Sequence, residues 1–320
     1  MNRIQFVVVI LVAMSGCGHQ ASEDLPKLPL LDWPVRKVDG APSWFQADDL
    51  RYGLHDAGGD ELLPPTYDDV RSFSEGHAAV NQGAKWVFPG VPDGGKWGYV
   101  NDVGELTIPL QFQYANDFSD GLACVSNWST GEGTMFIDRD GEVQIRIPDG
   151  NAGDFREGLA PVHRDRSLQN EGWLTEYIDK SGDVQFEVRG YGEEFYEGLA
   201  VLSLRSGNLE RRLHGYIDQQ GSVVMDHIFA DAKQFSEGLA SVRVAAIKGS
   251  EPEELWGYID RNGTSIIKPI YNEAFPFYQG KAVVHQGGRL LMMEDAPCEW
   301  EGGNWWLIDR TGKKLARIRH

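Results

Sequence analysis

Large apolar and aromatic positions recur along this chain in two phrases that alternate. The first runs aromatic, two residues, Gly, spacer, Ala, spacer, then Val or Leu. Its copies are Phe73-Gly76-Ala78-Val80, Phe118-Gly121-Ala123-Val125, Phe155-Gly158-Ala160-Val162, Phe195-Gly198-Ala200-Leu202, Phe235-Gly238-Ala240-Val242 and Phe277-Gly280-Ala282-Val284. Successive Phe residues lie 45, 37, 40, 40 and 42 positions apart, so the chain is a tandem array of units of about 40 residues. The second phrase is a short apolar run that enters Asp or Asn, passes two residues to Gly, and leaves into more apolar residues. It occurs seven times, at Asp56, Asn101, Asp138, Asp179, Asp218, Asp260 and Asp309, with the Gly three positions later in each. Alternating large apolar residues on both sides of such a turn predict a β-hairpin with Gly at positive φ.

The length between the two phrases is nearly constant. From turn Gly to phrase Phe the distance is 14 residues in five copies and 13 in the fourth, Gly182 to Phe195. The variation is concentrated in the junctions. From the closing Val or Leu to the residue four before the next turn acid, the steps from Val80, Val125, Val162, Leu202, Val242 and Val284 are 17, 9, 13, 12, 14 and 21 residues. Equivalent junctions of a repeat array fall on one side, so that side can vary without disturbing the fold.

The fullest copies, Trp97-Gly98-Tyr99-Val100-Asn101 and Trp256-Gly257-Tyr258-Ile259-Asp260, followed by Phe-x-Glu-Gly-Leu-Ala-x-Val, resemble the WG-repeat (KWG) family. The resemblance covers about residues 50–315. It implies an architecture and no common chemistry. Trp-Gly becomes Tyr52-Gly53, Thr134-Met135, Thr175-Glu176, His214-Gly215 and Trp305-Trp306 elsewhere, and the third and fourth units lack the Pro-aromatic arm, which leaves their local geometry open. Phe73, Phe118, Phe155, Phe195, Phe235 and Phe277, with Gly76, Gly121, Gly158, Gly198, Gly238 and Gly280, are read as structural frame.

The expected fold is all-β, a closed β-propeller-like ring of six or seven units, with an open β-solenoid-like array as the alternative. Closure rests on a count. Seven hairpins against six Phe phrases leave the terminal hairpin, Trp305 to Arg317, without an arm, and the extended segment Trp33 to Val38 is expected to complete its sheet and remove two exposed edges.

The amino terminus adds a location. Met1-Asn-Arg3 and the apolar run Ile4 to Ala13 are too short to span a bilayer as a mature helix, and Met14-Ser15-Gly16-Cys17 resembles the bacterial lipobox. That resemblance implies a signal peptide at 1–16, acylation of Cys17, a polar tether at 17–32 and a β domain at 33–320. Gly18, which is not Asp, implies the outer rather than the inner membrane by resemblance to the lipoprotein sorting rule of diderm bacteria.

Charge removes one class of partner. The chain carries 30 Lys and Arg against 48 Asp and Glu, a net −18, and loss of Arg3 with the signal peptide makes it −19. Nucleic-acid binding needs a basic footprint, which is missing. Beyond Cys17 the cysteines are Cys124 in an arm and Cys298 in the longest junction, expected to be independent thiols.

No Gly-x-Ser-x-Gly, His-Glu-x-x-His, phosphate loop or Cys-x-x-Cys occurs, and His55, His77, His163, His214, His227 and His285 are scattered over different units. No cofactor, metal or catalytic residue is assigned. The Asp-x-x-Gly series is read as turn chemistry rather than calcium ligation, because most copies offer no oxygen ligand at the middle position. The acids before each phrase Gly, Glu75, Asp120, Glu157, Glu197 and Glu237, are read as bonding to backbone. Exposed Trp is frequent at protein and sugar contacts, and Trp86, Trp128, Trp173 and Trp300 all lie in junctions. They form the candidate binding face of a non-enzymatic, membrane-anchored module for protein or glycan. The alternatives are an envelope-polymer hydrolase or lyase built on that face, or a structural envelope component.

Overall fold

The computed structural model describes residues 41–88, 91–166, 172–205, 212–244, 254–293 and 296–318, with backbone alone at 86–88, 91–92, 166, 289–293 and 296–300. The described residues form 28 β-strands and one short 3-10 turn, and every strand pair described below is antiparallel. Two compact lobes divide the chain, one ending at Phe155 and one beginning at Arg156. The expectation of an all-β chain of tandem units is met.

In the first lobe, Ser43–Gln46, Tyr52–His55 and Glu61–Tyr67 make a three-stranded sheet. A four-stranded sheet follows from Asp69–Val70, His77–Phe88, Val91–Asn101 and Leu106–Phe112, and another from Tyr114–Ala115, Ala123–Asn127, Gly133–Ile137 and Val143–Ile147. The second lobe repeats the scheme with Ala160–Arg166, Gly172–Ile178 and Val184–Arg189, and ends in the sheet of Glu273–Ala274, Lys281–Gln286, Asn304–Asp309 and Lys314–Ile318. Between them a seven-stranded sheet runs from Tyr191–Gly192 to Ser265–Tyr271, because Val223–Ala232 continues unbroken from one unit into the next.

Strand register corrects the arm count. Each Ala-x-Val arm pairs with the hairpin that follows it in sequence: Ala78 lies opposite Val100, Ala123 opposite Ile137, Ala200 opposite Ile217, Ala240 opposite Ile259 and Ala282 opposite Ile308. The terminal hairpin therefore has its arm, Lys281–Gln286, with Val284 opposite Trp306. The hairpin without a phrase of its own is the first. Ser43–Gln46 serves it, with Trp44 opposite Leu54 and Phe45 opposite Gly53. A neighbouring arm reaches its hairpin at low loop-closure cost, and this local pairing leaves Lys314–Ile318 at the edge of the last sheet, where the expected partner was Trp33–Val38. Trp33–Val38 itself lies outside the described residues.

Within each lobe the core sits between consecutive sheets. In the first lobe Trp97, Tyr99, Ile108 and Phe112 of one sheet pack on Ala115, Phe118, Val125 and Met135 of the next. In the second, Tyr258, Ile267 and Tyr271 pack with Phe277, Val284 and Ile308. Phrase Phe residues meet the ring that precedes the turn: Tyr99 and Phe118 at 4.9 Å, Tyr177 and Phe195 at 5.0 Å, Tyr216 and Phe235 at 4.9 Å, Tyr258 and Phe277 at 4.8 Å. These tyrosines are buried, so each hydroxyl needs an acceptor. It donates to the carbonyl two positions before the Phe: Asn116, Glu193, Lys233 and Phe275, at 2.7 to 2.8 Å.

The phrase acids act between units. Glu75 accepts the Gly121 N–H at 3.0 Å, Glu157 the Gly198 N–H at 2.9 Å, Glu197 the Gly238 N–H at 2.9 Å and Glu237 the Gly280 N–H at 2.8 Å. Each carboxylate thus reaches the same Gly of the next phrase. The turns add to it: Arg139 donates to Glu75 at 2.7 Å and Gln219 to Glu157 at 2.9 Å. Hydroxyls run alongside, Ser74 to the Phe118 carbonyl, Ser119 to Phe155 and Ser236 to Phe277, all at 2.6 Å. The Asp-x-x-Gly turns are closed by their own acid, as in Asp138, whose Oδ1 accepts from the Asp140 and Glu142 N–H groups at 3.0 Å.

One regularity explains where Trp-Gly is kept. In four units the strand after the turn bulges: three residues stand opposite one, as Pro64 to Thr66 opposite Gly53, Pro109 to Gln111 opposite Gly98, Asp226 to Ile228 opposite Gly215 and Lys268 to Ile270 opposite Gly257. The bulged backbone presses on the opposing position. A Cβ there would lie 2.7 Å from the Leu63 carbonyl oxygen at Gly53, 2.5 Å from that of Ile108 at Gly98, 2.5 Å from Met225 at Gly215 and 2.6 Å from Ile267 at Gly257. Where pairing is regular, a side chain returns: Met135 opposite Arg146, Glu176 opposite Glu187 and Trp306 opposite Arg317. Gly and bulge are one device, and the open question about the third and fourth units is answered by its absence there.

Candidate binding face at the unit junctions

The junctions start from defined anchors. The polar residue that follows the aromatic of the bulged strand reaches up and takes the first N–H groups of the junction. Asp68 Oδ2 accepts from Gly83 at 2.7 Å and Ala84 at 3.0 Å, Gln113 Oε1 from Ser129 at 2.6 Å, and Asn272 Oδ1 from Gly287 at 2.6 Å. The two longest junctions continue as antiparallel hairpins. His77–Phe88 pairs with Val91–Asn101 as far as Phe88, and Arg289–Met293 forms a separate two-stranded sheet with Ala296–Glu301.

The shortest junction carries the most exposed aromatic among the described residues. Trp128–Thr130 is a single 3-10 turn closed by Gly131 at φ 78°, whose N–H bonds the Trp128 carbonyl. The Trp128 side chain is 53% exposed and stacks on Tyr114, itself 39% exposed, with centroids 6.5 Å apart and planes 29° from parallel. Beneath Tyr114 lies the Arg71 guanidinium, 5.3 Å from that ring and 5.4 Å from Trp97. Glu132 closes the turn, its Oε2 accepting from Asn127 Nδ2 at 3.1 Å and Thr130 Oγ1 at 2.9 Å.

The other candidate tryptophans differ. Trp173 is half-buried and sits edge-on to Tyr191 at 5.9 Å, while Tyr191 stacks on His163 at 3.9 Å. Burial lowers the His163 pKa, opposed by the bond of its Nε2 with the Gly192 carbonyl at 2.8 Å. Trp86 lies on the strand His77–Phe88 and Trp300 on Ala296–Glu301, and both side chains are outside the described residues, as is Cys298. Cys17 and the segments 1–16 and 17–32 are outside them too. Cys124 is buried, its thiol 3.5 Å from the Ala152 carbonyl. Tyr114, Gln113 and Glu132 were not singled out by sequence. The available signal was position, since Tyr114 and Tyr191 both stand four residues before a phrase Phe.

Titratable groups gather most in the second lobe. Glu193 is pushed up from 4.5 to about 8 by burial, then by Glu194 and Asp231. Burial lowers His214, against Asp231, which raises it, and His214 Nδ1 lies 2.9 Å from Ser203 Oγ. Because the folded state raises the Glu193 pKa, its contribution to stability is full below about pH 4.5 and is lost as pH rises through about 8. Glu193→Gln, neutral throughout, is expected to flatten the decline in urea stability between about pH 5 and pH 8. An unchanged slope would refute the assignment. Among the described residues, no group of three or more His, Cys, Asp and Glu has the geometry to hold a metal ion.

Comparison with known families bears on the frame. Residues 52–86, 97–127, 215–245 and 256–289 match the WG-containing repeat. The chain is a WG-repeat protein. The four matched stretches begin at the four units that pair Gly with a bulge, so the match tracks that geometry. No curated protein sequence matches this WG-repeat protein. Among solved structures it is similar to a eukaryotic initiation factor, at TM-score 0.55 and 10% identity over 84% of this chain and 72% of that one. It is also similar to KlHsv2 with loop 6CD replaced by a Gly-Ser linker, at TM-score 0.47 and 12% identity over 87% and 95%, and to apo AztD from Citrobacter koseri, at 0.42 and 15% over 88% and 83%. The first likeness is one of fold.

Proposed function

We propose that this WG-repeat protein is a non-enzymatic binding module, held at a bacterial membrane by a lipid on Cys17, that engages a protein or glycan through its junctions. One observation carries the reading: the recurring carboxylates and hydroxyls bond unit to unit, whereas the junction at 127–133 holds out an exposed Trp128 on an anchored turn. Such a division leaves the frame to stability and the junctions to recognition. The lipobox-like Met14-Ser15-Gly16-Cys17 supports the anchor, and the net charge of −18 disfavours nucleic acid and anionic lipid surfaces as partners.

In cells, Cys17→Ser is expected to move the protein from the membrane pellet to the soluble fraction. Two further variants address binding, one with 127–133 and one with 285–304 replaced by short turns. At least one should lose envelope components that the full chain retains. Full retention by both would sink the proposal.

A further inference from the structure

We propose that Trp128, Tyr114, Gln113 and Glu132 form a subsite for one pyranose ring of a neutral glycan, an inference that rests on the junction-binding reading and names its ligand. The two rings lie near-parallel, 6.5 Å apart, and both are exposed, whereas most other large aromatics among the described residues are packed. The indole is held out by backbone rather than by packing. Gln113 Oε1 grips the Ser129 N–H, the Gly131 N–H closes the turn, and Thr130 Oγ1 bonds the Asn127 carbonyl at 3.0 Å. A platform fixed in advance loses little conformational freedom when a ligand settles on it.

The rim decides the ligand class. Asn127 Nδ2 fixes Glu132 through Oε2, with the single Thr130 hydroxyl proton shared between that oxygen and the Asn127 carbonyl, which leaves Oε1 as a charged acceptor; Gln113 keeps its amide N–H donors because its oxygen is engaged by Ser129. Asn127, Ser129 and Thr130 complete a polar turn around the rings. Among the described residues, the exposed aliphatic residues of this lobe are Leu50, Leu62, Val103, Leu106 and Val143, none of them in this junction. A protein contact would call for an apolar surround to its aromatic anchor. A pyranose has an apolar C–H face for the electron-rich ring faces and an equatorial rim of hydroxyls for a fixed carboxylate and an amide. The Glu132 charge and the acidic chain disfavour an anionic polymer.

The test titrates the full chain with maltohexaose, cellohexaose and N-acetylchitohexaose by calorimetry. At least one should bind, and Trp128→Ala should weaken it by about tenfold or more, the size of a central aromatic contact. Glu132→Ala should weaken it several-fold, and Trp173→Ala should leave it unchanged. Trp128 is exposed, so its replacement is expected to leave the unfolding midpoint alone, which separates lost binding from lost folding. The inference is overturned if none of the three sugars binds at millimolar concentration, or if Trp128→Ala binds as well as the parent. A chain that binds no sugar yet loses envelope proteins when 127–133 is shortened would retain the broader module and sink this subsite alone.

Discussion

Gly257→Ala is expected to destabilise the protein by about 3 kcal/mol, at the upper end for over-packing, because the new methyl meets backbone and not a yielding side chain. The Ile267 carbonyl oxygen stands 2.6 Å from that position and the Pro269 nitrogen 2.8 Å. Relief requires the strand Ser265–Tyr271 to give up its bulge. A second variant makes the cause specific: Gly257→Ala combined with deletion of Lys268 and Pro269 leaves one residue opposite position 257, the arrangement Met135 and Arg146 already have. The double change should recover a substantial part of the lost stability in urea titration. If the single substitution is neutral, or the deletion only adds damage, Gly and bulge are not coupled.

Glu237→Ala is expected to cost about 2 kcal/mol, the range for a hydrogen bond to a charged group whose partner is left in part-buried surroundings. The carboxylate takes the Gly280 N–H at 2.8 Å from the next phrase, so its loss loosens two units at once. Glu237→Gln keeps an oxygen at the same reach and should cost well under half as much. The backbone sharpens the comparison. Glu237 sits at φ 56°, a left-handed conformation that a non-Gly residue adopts at a penalty, and Ala or Gln would bear the same penalty. The difference between the two variants therefore measures the carboxylate bond rather than the turn, and equal midpoints for Ala and Gln would dispose of the inter-unit role.

Much of the frame was legible beforehand. Asp-x-x-Gly predicts its hairpins because the acid bonds its own turn, a purely local event, and Phe-x-Glu-Gly-Leu-Ala-x-Val is set apart as scaffold by its recurrence alone. The arm of each hairpin was assigned one step out of place, since the arm precedes its hairpin and sequence spacing looks alike in both directions. The recurrence of the acids marks them as backbone-bonding groups, but their partner lies roughly 40 residues on, a distance only folding closes. The two junction tryptophans whose side chains are described, Trp128 and Trp173, part for the same reason. Trp128 is exposed because the anchor at Gln113, just past the strand Leu106–Phe112, and a 3-10 turn hold it out, whereas Trp173 finds Tyr191 to lie against.

By itself the sequence determined the unit, its turn, its all-β character and the fact that variation lies in the junctions, because those follow from local propensity repeated in register. Only the tertiary structure decided which arm serves which hairpin, why Gly stands at 53, 98, 215 and 257, and which aromatic remains in contact with solvent. Each of those depends on the close approach of backbones or rings from different strands, and a distance of 2.5 Å from a would-be Cβ at Gly98 to a carbonyl oxygen has no counterpart in a linear pattern.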